Sequence, residues 1–207
     1  MDDPIFPAAP ASGALPSAGS ASAQIGSILR DRRKKLKLTL QAVAERAHLS
    51  IGFVSLVERD LATPSLSALV NIAQVLGLEV GDLIRVPDGD DVVSYASTRA
   101  SFSLGNTAIA YGRLSADFPD SHINAVELTV PSGYVAEEVE HSGEDFLYLL
   151  EGRLRVVLDG KQYELRPGDA MHFRSSRSHG FTNPGDGPAR LLWVGDLSIF
   201  PHRASDI

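Results

Sequence analysis

The chain has 207 residues, 43% of them hydrophobic, a formal net charge of -7 and no cysteine. That is room for two small domains with their own cores, and it excludes disulfides and thiolate metal sites. No apolar run is long enough to span a bilayer. The opening MDDPIFPAAP lacks the basic start and apolar block of a secretory signal, so a cytoplasmic protein with no membrane partner is expected.

Residues 1–23 are rich in Ala, Pro, Ser and Gly, with almost nothing to bury, and read as a disordered tail. Residues 24–86 read as a helical domain. Ile25, Ile28, Leu29 and Leu36 fall on one face of a first helix, with Arg30, Arg33, Lys34 and Lys37 largely off it. Thr39 is placed to cap a second helix that buries Val43, Ala44 and Ala47. The segment His48-Leu49-Ser50 breaks the period, and Ser50 caps a third helix carrying Phe53, Val54 and Val57. Ser65 starts a fourth, with Leu69, Ile72, Ala73 and Leu76, closed by Gly77. A short turn over Val80 to Ile84 makes five helices. This segment is basic: residues 24–87 hold nine Lys/Arg against six Asp/Glu, whereas residues 88–207 hold ten against eighteen. One basic segment in an acidic chain points to a localised polyanion contact.

Residues 87–100, opening with PDGDD, read as a linker. Over 101–200 come short apolar runs separated by turn residues: AIAYGRL, INAVELTV, FLYLLEG, LRVVLDG, YELRPGD, AMHFR and RLLWVGDL. That rhythm predicts an all-β sandwich or barrel, and the chain as a whole an α + β protein of two domains.

Two short helices joined by a tight turn fit a helix-turn-helix, whose second helix enters the major groove. The stretch LTLQAVAERAHLSIGFVSLVERDLATPSLSALVNIAQVLGLEVGDLI closely resembles the lambda-repressor-like (XRE-family) DNA-binding domain. The resemblance implies that Ile51, Gly52 and Ser55 face base edges, with Phe53 against a thymine methyl. It implies phosphate contacts from Thr39, Gln41, Ser50, Arg59 and Thr63. His48 and Asp60 stand where the family usually has glycine, and Leu40 where many members carry a glutamine. A positive φ is therefore expected at His48, and extra phosphate contact is expected from the RDRRKK run.

The second half resembles the cupin family, a small jelly-roll barrel whose mouth holds a ligand or metal. The first motif appears as GYVAEEVEHSGEDFLYLLEG, the second as the RPGD turn followed by His179 and Asn183. Mapped onto the metal ligands of that family, Val139 replaces the first histidine, His141 is the second, Asp145 replaces a glutamate and His179 is the last. Two histidines and a carboxylate suit a divalent metal. Asp145, however, is one methylene short of glutamate, a shortfall of roughly 1.5 Å on an unchanged backbone. Two readings stay open: His141, Asp145 and His179 hold a metal, or they bind an organic effector directly, with Met171 and Phe181 lining the pocket. No cofactor is otherwise implied.

The resemblances together imply a transcriptional regulator, not an enzyme. It would be a homodimer reading a pseudo-palindromic operator in double-stranded DNA, with the barrel sensing a small molecule. The rival is a metal-dependent cupin dioxygenase or isomerase fused to a DNA-binding domain; the altered first motif counts against it.

Overall fold

The computed structural model describes residues 25–83, 91–104, 109–116, 118, 120–197 and 199. The expected tail, residues 87–90 of the expected linker and Ile84 lie outside them.

Five helices come first: α1 (Ile25–Lys35), α2 (Leu40–Arg46), α3 (Ile51–Val57), α4 (Leu66–Leu76) and α5 (Val80–Leu83), the last a single four-residue turn. Their starts are fixed by side-chain chemistry. The hydroxyls of Thr39, Ser50 and Ser65 accept hydrogen bonds from the backbone N–H of Ala42, Phe53 and Ala68, satisfying donors that the first turn of a helix leaves unpaired. Gly77 closes α4 at φ 60.

The core contains Leu29, Val43, Ala44, Val54, Val57, Leu69, Ile72 and Leu76. The apolar face expected of α1 is narrower than its periodicity suggests: Ile25 and Leu29 are buried, but Ile28 and Leu36 are exposed. Arg33, expected on the solvent side, instead turns inward. Its guanidinium meets both carboxylate oxygens of Glu58, at 2.6 and 2.8 Å, and donates to the Leu38 carbonyl at 3.0 Å. Glu58, at the end of α3, holds the Arg33 guanidinium above its ordinary pKa.

Helix α4 differs from its neighbours. Six consecutive residues, Ala68 to Ala73, are buried. A helix lying on a single core exposes part of each turn, so α4 is covered on both sides. Its second cover is the barrel: the buried Tyr111 lies against the Leu66 backbone, and Asn71 donates to the Glu140 carbonyl.

The barrel is two antiparallel sheets. One has six strands in the order β1 (Ser101–Phe102), β2 (Ala110–Arg113), β3 (Asn124–Val130), β9 (Ala189–Gly195), β4 (Glu144–Glu151) and β7 (Ala170–Arg174). The other has three, β6 (Lys161–Leu165), β5 (Leu154–Leu158) and β8 (His179–Thr182). Strands β3, β5 and β9 bury alternate residues, the period-two pattern of sheets with one face in a core. Two strands were not legible in the sequence. β1 is only two residues long, and β8 begins on His179, within the second cupin motif and outside the apolar runs.

Candidate functional site

Two places bring chemistry-bearing residues together. The first is the amino end of α3. Ser50 caps it, Ile51 is 47% exposed, and a Cβ built on Gly52 would meet nothing within 4 Å. Ser55 is half-buried one turn later. His48, in the preceding turn, has φ 55 as expected, and so does Asp60. This is an open, capped helix end of the kind a groove admits.

Around it, Thr39, Gln41 and Arg59 are exposed and Thr63 half-buried. Arg59 rests its Nε on the Ser55 carbonyl at 3.1 Å, and Gln41 donates to Glu45 at 2.8 Å. Two expectations need correction. Phe53 is only 8% exposed and packs in the helical core beside Val54 and Val57, so it does not face a base; its burial follows the same spacing that buries Val57. Within the RDRRKK run, Arg32 is spent on the Leu76 and Gly77 carbonyls and Arg33 on Glu58. That leaves Arg30, Lys34 and Lys35 exposed for a polyanion.

The second place is in the barrel. His141, Asp145 and His179 converge so that one ligand atom from each lies within 4.8 Å of the others. Asp145 Oδ2 stands 3.5 Å from His141 Nε2 and 3.3 Å from His179 Nε2, and the Asp145 and His141 side chains are 3% exposed. Despite its shorter side chain the aspartate stands close to both rings, and the neighbouring strand packs tightly beside it. Gly195 pairs with Asp145 on β9, and a Cβ there would come within 2.6 Å of the Trp193 ring and 3.0 Å of Asp145 Oδ1.

Each histidine has its other nitrogen occupied. His141 Nδ1 donates to the Ser142 carbonyl at 2.9 Å, and His179 Nδ1 to the Arg177 carbonyl at 2.8 Å. A carbonyl only accepts, so Nδ1 carries the proton of the neutral ring and Nε2 is left with a lone pair. Trp193 Nε1 donates to Asp145 Oδ1 at 3.0 Å, leaving Oδ2 facing the two rings. His141 Nε2 is buried with no hydrogen-bond partner. Three electron-rich atoms pointing at one another are satisfied by a proton on one ring or by a metal ion between them.

Two of the three separations, 3.3 and 3.5 Å, are close to what a metal site needs, and the third lies within 4.8 Å. Ligands about 2.1 Å from a common ion, at angles of 90–109°, sit about 3.0–3.4 Å apart. The triad could therefore hold a divalent metal, and three protein ligands leave positions open for an oxygen or nitrogen of a small molecule. Such an ion would act there as a Lewis acid. Val139, standing in for the missing histidine, is buried and paired with His179 across an isolated bridge.

Of the other residues expected to line the site, Met171 pairs with Leu147 and packs partly buried on the core, while Phe181 lies 5.9 Å from the Tyr134 ring. Phe173 sits 5.2 Å from the His179 ring. Glu144 lies on the outer face, bonded to His172 at 3.1 Å, where an open basin of about 580 Å³ is lined by Phe146, Arg174 and Val194 among others. That basin is separate from the triad. Sequence reasoning missed the part played by Trp193, whose indole N–H in an apolar strand was the available signal.

Trp193→Phe is expected to weaken divalent-metal affinity by about 10–100-fold, the usual effect of removing a ligand's hydrogen-bond partner. Isothermal titration with Co(II) measures it, and an unchanged affinity removes Trp193 from the site.

Comparison with known proteins agrees with both halves. Residues 29–83 match the helix-turn-helix family and residues 126–195 the cupin domain family. The chain therefore joins an XRE-type helix-turn-helix domain to a cupin domain. It is 22% identical over 169 residues to the HTH-type transcriptional regulator PuuR of Escherichia coli, covering 81% of this chain and 91% of that one. It is 20% identical over 164 residues to the HTH-type transcriptional regulator SutR of the same organism, covering 78% and 88%. A crystal structure of an HTH_3-family transcriptional regulator from Vibrio cholerae superposes with a TM-score of 0.52 at 19% identity, over 87% of this chain and 97% of that one, which supports the fold.

Proposed function

We propose that the protein is a sequence-specific DNA-binding transcriptional regulator whose cupin domain binds a small effector, through a divalent metal held by His141, Asp145 and His179. The observation that carries the DNA half is the exposed, serine-capped end of α3, with Ile51 and Gly52 open, Ser55 half-buried beside them, and the exposed Arg59 resting on the Ser55 carbonyl. PuuR and SutR, named as regulators, align across both domains, which supports a sensor rather than an enzyme. No described helix is long and apolar enough to cross a membrane, and we place the protein in the cytoplasm, where its operator is.

A seven-residue recognition helix contacts few base pairs, so two copies reading a pseudo-palindrome about 34 Å apart fit the geometry. The outer face of the six-stranded sheet offers the pairing surface. Phe146 and Tyr148 are each 37% exposed there, and they pair in register with Val194 and Leu192.

Arg59→Ala is expected to weaken binding of every duplex alike and to reduce the salt slope by about one unit, whereas Ser55 variants change which duplex is preferred. Binding isotherms at several salt concentrations read both. A salt slope unaltered in Arg59→Ala takes that residue out of the phosphate contacts, and a wild type indifferent to duplex sequence overturns the regulator.

A further inference from the structure

We infer that Asn71 is the residue through which occupancy of the cupin site acts on the recognition helix; the inference rests on the regulator reading above. Asn71 lies in the middle of α4 and is 6% exposed. A carboxamide buried in a helix whose other buried residues are Leu, Val, Ile and Ala needs partners, and this one has two that belong to different domains. Its Nδ2 donates at 3.2 Å to the carbonyl of Ala47 and at 2.9 Å to the carbonyl of Glu140. One amino group thus uses both its protons, one on each side of the domain boundary.

The two acceptors are what make this more than packing. Ala47 is the C-cap of α2, immediately before His48 and two residues before Leu49 and Ser50 complete the turn into α3. Glu140 immediately precedes His141, whose own N–H is tied to the Ser175 carbonyl at 2.9 Å and whose ring enters the triad. The Glu140 carboxylate also stands 4.0 Å from His48 Nδ1, on the surface, where such a pair contributes little. A path of covalent and hydrogen bonds therefore runs from the triad through His141, Glu140, the Asn71 side chain and Ala47 to the turn that precedes α3.

Drawing His141 toward a bound ion moves the peptide that carries the Glu140 carbonyl. Asn71 transmits that displacement to the α2–α3 turn, because its two bonds share one rigid, planar group. Tyr111, which lies against the Leu66 backbone at the start of α4, touches the same two domains but leads to no part of the turn.

The test is a thermodynamic cycle on the full chain, with Co(II) as the metal and a duplex recovered by the wild type from a randomised pool. Duplex affinity is measured with and without Co(II), and Co(II) affinity with and without duplex; linkage requires the two ratios to be equal. In the wild type a ratio of about tenfold is expected, in either direction; Asn71→Ala brings it below about threefold while Co(II) affinity without DNA stays within about twofold. Tyr111→Phe keeps the wild-type ratio. If Asn71→Ala does not fold, Asn71→Ser, with a single donor, takes its place under the same criteria.

A folded Asn71 variant with the wild-type ratio overturns the bridge, as does a Tyr111→Phe variant that loses the ratio as fully. A wild type that binds Co(II) and duplex independently overturns the bridge and leaves DNA binding intact. A wild type that binds no duplex overturns both this inference and the regulator reading.

Discussion

His141→Ala and His179→Ala are each expected to lower Co(II) affinity by more than about a hundredfold, a larger loss than removing a ligand's hydrogen-bond partner causes. The reason lies in what each ring has been prepared to do. Both Nδ1 atoms are held by backbone carbonyls, so both Nε2 lone pairs are committed to the space in front of Asp145 Oδ2. Removing either ring leaves two ligands, too few to exclude water and fix a geometry. Titration calorimetry of the full chain reads the change; a variant that takes up Co(II) as tightly as the wild type means the ion is held elsewhere.

The same site should lose metal on acidification, since protons and metal compete for the same nitrogens. The two histidines titrate apart. Burial pulls both down. At His141 the nearby Asp145 carboxylate, the Ser142 carbonyl and the charge of Asp196 together outweigh it, so its pKa is raised above 6.5. At His179 burial prevails and the pKa is lowered. As pH falls, His141 is therefore the first to protonate, and Co(II) affinity should begin to drop above pH 6.5. An affinity flat down to that value contradicts the assignment of His141 as a ligand.

Glu58→Ala is expected to destabilise the helical domain by about 3 kcal/mol, at the bottom of the range for breaking a buried ion pair. The low end applies because the Arg33 side chain keeps 13% of its surface in solvent, against 6% for Glu58. The loss comes less from the missing attraction than from leaving the guanidinium half-buried with only the Leu38 carbonyl to answer it. The double variant Arg33→Met/Glu58→Leu should recover most of the loss, since it removes both charges and keeps the volume. Chemical denaturation of the two variants beside the wild type gives both numbers. A single variant as stable as the wild type shows the pair to be ornamental.

What the sequence disclosed and what it withheld divide along distance in the chain. Capping is local chemistry, and Thr39, Ser50 and Ser65 each cap the helix expected of them. Alternation exposed β3, β5 and β9 in the same way. The triad was legible only through its resemblance to a family motif, because Asp145 and His179 lie on strands of different sheets. Asn71 was not legible, and Trp193 only as an indole N–H set in an apolar strand. Their partners stand 69 and 48 residues away, and nothing in a local pattern distinguishes a bridging carboxamide from one facing water. Phe53 fell between two signals: its spacing placed it with Val54 and Val57, while its position in the motif suggested a base contact, and spacing prevailed.

The two-sided burial of α4 limits how this protein can be rebuilt. Exchanging its head for that of another regulator, by splicing within 84–90, would remove α4 together with Asn71 and leave the Glu140 carbonyl of the barrel without its donor. A chimera must therefore import the wall together with the room behind it: the donor's fourth helix has to be matched to the loop before the first liganding histidine, or the graft joins two folded halves that do not converse.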